Sequence, residues 1–266
     1  MNKKLGFIGC GNMGSAMVGG IINSGLLKKE NIIASCSREE SAKKISEKLG
    51  IKTTLNNKEV CKESDIIFLA VKPYMYEKII KEIKDEIGLD KIVVTIAAGI
   101  NLKDVEKWFD KKTKIIKTMP NTPALVGEAM SAICPNELVS KEELKEVMSI
   151  FDAFGKCEVL SEKDFHGFIA LCGSSPAYVY MFIEAMADAA VREGITRDKA
   201  YKLAAQSVLG SAKMVLETGE HPAKLKDNVC SPGGTTIEAV LELEEKGFRN
   251  SIISAMKSCA KKSKKM

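Results

Sequence analysis

The stretch that most constrains this chain is its opening. Leu5-Gly6-Phe7-Ile8 is a short apolar run, and Gly9-Cys10-Gly11-Asn12-Met13-Gly14 follows it with glycines at the first, third and sixth places. A helical pattern begins at once, over 13–24. An apolar strand, a G-x-G-x-x-G turn and a helix, in that order, start a βαβ unit that cradles a dinucleotide. Gly9 permits the tight turn, Gly11 lets the backbone approach the pyrophosphate, and Gly14 lets the helix pack on the strand. The amides from Gly11 to Met13 then face phosphate oxygens from a helix N-terminus. A glycine-rich turn with no ligand is the alternative, and the flanking strand and helix argue against it.

Beyond the loop, two halves differ in pattern. Up to about residue 160, apolar runs at 4–8, 31–36, 65–70, 91–97, 114–118, 129–134 and 156–160 alternate with amphipathic helical stretches. Runs such as Ile66-Ile67-Phe68-Leu69-Ala70 are apolar without alternation, as suits parallel strands covered on both faces. The expected fold is α/β, an N-terminal Rossmann doubly wound sheet over 1–160, followed by an all-helical domain over 161–266. In the second half, Tyr178, Met181, Phe182, Ala185 and Ala189 fall at spacings of three and four, and the segment is apolar nearly all round. Such a helix must be buried, against a partner subunit or within its own chain. A homodimer is the expectation.

Composition removes several classes. The 266 residues are 45% apolar and 28% charged, the balance of an ordinary globular protein. No apolar run approaches the ~18 residues of a membrane span. No leader pattern opens the chain, so a cytoplasmic location without membrane contact is expected. Eight cysteines are scattered without a C-x-x-C pair, and only His166 and His221 are histidines, so free thiols and no metal site are expected. Much of the net charge of +5 sits in Lys261-Lys262-Ser263-Lys264-Lys265, with no aromatic residue interleaved. That reads as a solvated helix end rather than a nucleic-acid patch.

The second strand ends near Ser35, Cys36 and Ser37, followed by Arg38, where an NAD-selective chain usually places Asp or Glu on the ribose 2′-hydroxyl. With no carboxylate there and an arginine available, NADPH is expected over NADH, which stays usable. Ala70-Val71-Lys72-Pro73 and Met119-Pro120-Asn121-Thr122-Pro123 lie at C-terminal ends of strands, where open α/β sheets bind ligands. Ser231-Pro232-Gly233-Gly234-Thr235-Thr236 opens a helix, offering amides and hydroxyls to a carboxylate. An N-capping turn is the plainer reading of the same residues.

Taken together these segments resemble pyrroline-5-carboxylate reductases, over essentially the whole chain. The resemblance runs through Phe7-Ile8-Gly9-x-Gly11-Asn12-Met13, Ala70-Val71-Lys72-Pro73, Ala97-Ala98-Gly99-Ile100, Met119-Pro120-Asn121-Thr122-Pro123 and Gly173-Ser174-Ser175-Pro176-Ala177-Tyr178. It ends on Leu225-Lys226-Asp227-Asn228-Val229-x-Ser231-Pro232-Gly233-Gly234-Thr235-Thr236, the most specific of these matches. It implies reduction of 1-pyrroline-5-carboxylate to L-proline by NAD(P)H, and a helical domain that interlocks in a dimer and assembles further into decamers. By residue, it implies that Gly9, Cys10, Gly11, Asn12, Met13 and Gly14 hold the pyrophosphate. Ser35, Cys36, Ser37, Arg38 and Asn57 surround the adenosine ribose. Ala70, Val71, Lys72, Pro73 and Ala98 line the nicotinamide side, and Asn228 reaches the cofactor. Ser231, Gly233, Gly234, Thr235 and Thr236 hold the substrate, with Glu162 facing it. Lys117, His166 and Ser175 depart from the family's usual arginine, aspartate and glycine. Ser175 is the departure that bears on backbone geometry, since serine tolerates positive φ less well than glycine.

A protonated imine is already electrophilic, so positioning is the main task. Thr236 is the candidate for hydrogen bonding the ring nitrogen, and Lys72 the rival acid or charge partner. Related alternatives are a β-hydroxyacid dehydrogenase or imine reductase, which carry a catalytic lysine or aspartate on the long helix, and a non-catalytic dinucleotide sensor.

Overall fold

The computed structural model describes residues 3–265. In the first half the elements are β1 (Leu5–Ile8), α1 (Asn12–Asn23), β2 (Ile32–Ser35), α2 (Glu39–Leu49), β3 (Lys52–Thr54), α3 (Asn57–Glu63) and β4 (Ile66–Leu69). They continue with α4 (Tyr76–Ile83), β5 (Ile92–Thr95), α5 (Leu102–Phe109), β6 (Lys114–Met119), β7 (Ala129–Pro135), α6 (Lys141–Asp152) and β8 (Gly155–Val159). Helices follow: α7 (Phe165–Phe168), α8 (Ser175–Arg192), α9 (Arg197–Thr218), α10 (Pro222–Val229), α11 (Thr235–Glu245) and α12 (Phe248–Ser263). The described residues fall into two compact units, 3–173 with 260–265, and 174–259.

In the first unit the eight strands form one sheet in the order β3-β2-β1-β4-β5-β6-β7-β8. The order reverses direction at β1, the switch point beside which dinucleotides bind. All pairings are parallel except β6 with β7. The reason is local. The link from Met119 to Ala129 holds only a short 3₁₀ turn, Thr122–Val126, and a parallel return needs a crossover of a dozen or more residues. The sheet carries a core on each face. Phe7 stacks on Phe68 at 4.6 Å, and Phe151 and Phe154 extend that layer beneath α1 and α6. On the other face Tyr76, Ile79, Ile80, Ile83, Val105 and Phe109 cover the strands from α4 and α5.

The strands begin and end within a residue or two of the apolar runs. In the first half β3, α3 and α5 match neither an apolar run nor a helical stretch read from the sequence. β3 is three residues, Lys-Thr-Thr, none buried. α3 and α5 hold seven and eight residues, each capped by an asparagine, Asn56 and Asn101, whose side chain accepts an amide from the first turn.

After α7, residues Ile169–Gly173 form a π turn before α8 begins. Its Cys172 carbonyl accepts from Asn121 Nδ2 at 2.9 Å, while Asn121 Oδ1 accepts from the Met130 amide at 3.0 Å. The asparagine of the Met-Pro-Asn-Thr-Pro segment is therefore a buried clamp. Ser175 is the first residue of α8, and Asp110 alone among the described non-glycine residues has positive φ, so serine fits there without strain.

In the second unit α8 and α9 pack along one another, and Phe182 meets Phe248 at 6.1 Å. Within the single chain the apolar segment is not buried, which leaves its cover to a partner subunit. Of α8 only Ala187 is buried; Met181 is 69% exposed. Glu162–Arg192 is also the one helical run, among the described residues, long and apolar enough by length and composition to cross a membrane.

Candidate active site

The glycine loop is built as a ligand cradle. Gly9 has φ +83°, and a Cβ there would lie 2.8 Å from the Ala70 carbonyl. A Cβ on Gly11, by contrast, would meet nothing within 4 Å. Gly11 is also the N-cap of α1 and no side chain caps the helix, so its first amides face open space. That is the donor set and the room a pyrophosphate requires. Asn12 and Met13 open the helix, and Gly14 lies against the Gly9 carbonyl, where a Cβ would sit at 3.2 Å. Cys10 hydrogen-bonds Ser15, and burial pushes its thiol up to about 11, so it stays neutral at physiological pH.

At the end of β2 a polar chain leads away from the loop. The Gly9 amide donates to the Ser35 carbonyl at 3.1 Å, with the Ser35 hydroxyl at 3.4 Å. Ser35 Oγ donates to Asn57 Oδ1 at 2.6 Å, and Asn57 Nδ2 donates to both oxygens of Glu82 at 3.2 and 3.3 Å. The fold thus brings Ser35 and Asn57 together. Cys36 is half-buried, and burial raises its thiol too. Ser37 and Arg38 are exposed, and Arg38 makes no ion pair among the described residues.

Beyond β4, Ala70, Val71, Lys72 and Pro73 form the next loop at the same sheet edge. Lys72 starts a 3₁₀ turn with its carbonyl, while its side chain is exposed and has no ion-pair partner among the described residues. It does not anchor the strand end. A cavity of about 320 Å³, lined in part by Pro73, Tyr74, Ala98, Gly99, Ile100 and Trp108, lies between this loop and the one after β5. The two loops are tied by a residue that sequence patterns do not single out. Fully buried Tyr76 donates its hydroxyl to the Leu69 carbonyl at 2.5 Å and accepts from the Ile96 amide at 3.2 Å. Burial raises its phenol far above the ordinary tyrosine range. Glu162 is engaged by Lys117 at 2.9 Å and by the Leu102 amide at 2.8 Å, both through Oε1, and Lys117 also lies 4.9 Å over the Phe165 ring.

In the helical unit, Ser231 to Gly234 close a turn by the Gly234 amide donating to the Ser231 carbonyl at 3.0 Å. Pro232 and Gly233 sit at its centre, with Gly233 at φ +64°, the arrangement that demands glycine in a type II turn. Gly234 is the N-cap of α11 and no side chain caps the helix. Thr235 and Thr236 are already inside its first turn, so capping is not what Thr236 does. Asn228 lies in the last turn of α10 and is exposed. Among the described residues the side chains of Asn228, Ser231, Thr235 and Thr236 make no hydrogen bond. Free amides and free hydroxyls at a helix start make a carboxylate receptor.

The family described as "Pyrroline-5-carboxylate reductase dimerisation" matches residues 162–266, and "NADP oxidoreductase coenzyme F420-dependent" matches residues 4–99. A curated relative, the pyrroline-5-carboxylate reductase of Escherichia coli, is 52% identical over 266 residues, covering 100% of this chain and 99% of that one. The chain belongs to the pyrroline-5-carboxylate reductases. It is thus an NAD(P)H-dependent oxidoreductase with a C-terminal dimerisation region. Solved reductases share the fold. That of Coxiella burnetii superposes with a TM-score of 0.93 at 33% identity, covering 100% of this chain and 98% of its own. That of Plasmodium falciparum, solved with NADP bound, gives 0.88 at 35% identity, covering 99% and 97%. The rival dehydrogenase reading fails against 52% identity over the full chain to a reductase of this family; α8 offers no lysine, though it does carry Asp188.

Proposed function

We propose that this reductase converts 1-pyrroline-5-carboxylate to L-proline, the final step of proline synthesis, with NADPH preferred over NADH, and that it does so in the cytoplasm. Residues 1–160 hold the nucleotide; residues 161–266 hold the substrate and the partner subunit. Two subunits pair through the helical region, and the dimers assemble further into decamers.

The observation that carries the reading is the uncapped start of α11 behind the Ser231–Gly234 turn, with free hydroxyls on Thr235 and Thr236. The cyclic imine carries one carboxylate and one ring nitrogen. Ser231, Gly233, Gly234 and Thr235 take the carboxylate, and Thr236 donates to or receives from the ring nitrogen. NAD(P)H, when bound, would supply the hydride that C5 takes up as the C=N π bond opens, with a proton completing the ring amine. The amides of Gly11, Asn12 and Met13, with Cys10 and Gly14 shaping the turn, hold the pyrophosphate. Val71, Lys72 and Ala98 line the nicotinamide side, and Asn228 hydrogen-bonds the nucleotide. Lys72, without an ion-pair partner among the described residues, adds positive charge that favours an anionic substrate. Glu162 lends its second oxygen to the substrate while Lys117 balances its charge. The NADPH preference rests on Arg38, exposed and unpaired among the described residues, beside a strand end that has no carboxylate of its own.

The test is a spectrophotometric assay of nicotinamide oxidation with pyrroline-5-carboxylate. Thr236→Ala is expected to lower kcat/KM by one to two orders of magnitude, roughly 1–3 kcal/mol of transition-state stabilisation, with thermal stability kept. Full activity in that variant would remove Thr236 from the chemistry. No oxidation of NADPH by the wild-type chain would remove the function.

A further inference from the structure

The end of β2 has no carboxylate in its own sequence, yet one reaches the polar chain there from another element. We infer that Glu82, on α4, positions the ribose contact Asn57 and sets the balance between NADPH and NADH. The inference rests on the reading that puts the adenosine ribose at Ser35–Arg38 and Asn57.

The orientation of Asn57 follows from elementary donor and acceptor counting. An ionised carboxylate only accepts, so the Asn57 atom facing Glu82 at 3.2 and 3.3 Å is the amide nitrogen. Its oxygen must then face Ser35, whose hydroxyl gives up its one proton across 2.6 Å. That leaves the Ser35 lone pairs toward the Gly9 amide at 3.4 Å. Glu82 therefore selects one of the two amide orientations, and the choice passes through buried Ser35 to the first glycine of the nucleotide loop. Where one Nδ2 proton of Asn57 serves both Glu82 oxygens, the other is left for a ribose oxygen.

The charge has a second effect. A 2′-phosphate brings negative charge to the neighbourhood of Asn57, and a 2′-hydroxyl brings none. Glu82 disfavours the phosphate while Arg38, three residues past the end of β2, favours it. Sequence reading sees only Arg38, because Glu82 is 25 positions from Asn57 and joins it by folding alone. The two opposed charges account for a site that takes both nucleotides.

The experiment measures kcat and KM for NADPH and for NADH on the full-length enzyme, at low and high salt, in wild type, Glu82→Gln, Glu82→Ala and Arg38→Ala. Glu82→Gln keeps an acceptor for Asn57 and loses only the charge. It is expected to raise the NADPH:NADH ratio of kcat/KM about two- to fivefold, the scale of one exposed charge. The change should lie in KM for NADPH and shrink at high salt. Glu82→Ala should also raise KM for NADH about two- to fivefold, because Asn57 is no longer held, and Gln at the same place should restore it. A merely structural Glu82 would lower the thermal midpoint and leave the ratio where it was. An unmoved ratio in Glu82→Gln overturns the charge role, and an unmoved KM for NADH in Glu82→Ala overturns the positioning role. If Arg38→Ala shifts the ratio toward NADH while neither Glu82 variant does, the ribose assignment stands and Glu82 falls alone. If none of the three moves it, both fall together.

Discussion

At Gly9 and Gly11 the same substitution meets opposite surroundings. Gly9→Ala would hold a methyl in left-handed backbone and press it on the Ala70 carbonyl, so it damages the fold and the site together. Gly11→Ala adds a methyl where nothing lies within 4 Å and the backbone is extended, at φ −73° and ψ −159°. The folded protein tolerates it; a pyrophosphate held there, as proposed, would not. Gly11→Ala is therefore expected to keep its thermal midpoint while the nucleotide dissociation constant rises at least about tenfold, ~1.4 kcal/mol. Calorimetric titration with NADPH beside a thermal melt checks this, and unweakened binding would show that the pyrophosphate lies elsewhere. The glycine spacing was legible in the sequence because three residues in six carry it. Tyr76 and Glu82 were not, because each acts through partners set by strand order: the hydroxyl of Tyr76 joins β4 to β5, and Glu82 finds Asn57 across two elements.

Among the elements, α6 shows how much of its stability is local. Ser140 accepts from the Glu143 amide at 3.2 Å, and Glu143 reaches back to the Ser140 amide at 2.9 Å, a capping box. Glu143 also pairs with Lys114 of β6 at 2.5 Å, fastening the helix start to the sheet. Burial pushes the Glu143 carboxyl up, but Lys114 and Ser140 together outweigh it and hold it below its ordinary value. A carboxyl held low in the folded state stabilises above its unfolded pKa and stops doing so as pH falls through the folded one. Glu143→Gln is accordingly expected to lower the thermal midpoint at pH 7, with the gap to wild type closing as pH falls below the ordinary carboxylate range. Melts across that range check it; a gap that widens in acid would contradict the sign. This element was legible because its cap, its charges and its apolar face agree. β3 was not, since Lys52-Thr53-Thr54 has neither apolar content nor length and is a strand only because β2 offers it an edge. The reversal of β7 was hidden for a related reason: alternation of apolar runs is blind to direction, and only the short link after Met119 dictates it.

On the scale of the whole molecule the unresolved tension of a single chain is its apolar surface. Met181 on α8, Leu203, Leu209 and Leu216 on α9, Leu241 on α11 and Ile253 on α12 are all more than half exposed. Sequence periodicity identified α8 as a helix that must be covered, but periodicity does not say by which chain. The described residues leave it bare, and the dimerisation family covers these helices. Exposed apolar area costs about 25 cal/mol for each Å², and patches beyond a few hundred Å² mark interaction surfaces. A second copy of the chain covers such faces without any new sequence, and a self-complementary pairing closes at two. Sedimentation at micromolar concentration is thus expected to give a mass of at least twice the 29.0 kDa of one chain. Met181→Glu and Leu216→Glu, made singly, place a charge where an isolated chain faces water, at 69% and 83% exposure, so neither should disturb folding of the first unit. Each should move the sedimenting species toward 29.0 kDa and lower the melting temperature of the helical region in a concentration-dependent way. If the wild-type chain sediments as a monomer, the apolar helices must find another cover. If both variants remain oligomeric and fully stable, the interface lies on faces other than those of α8 and α9.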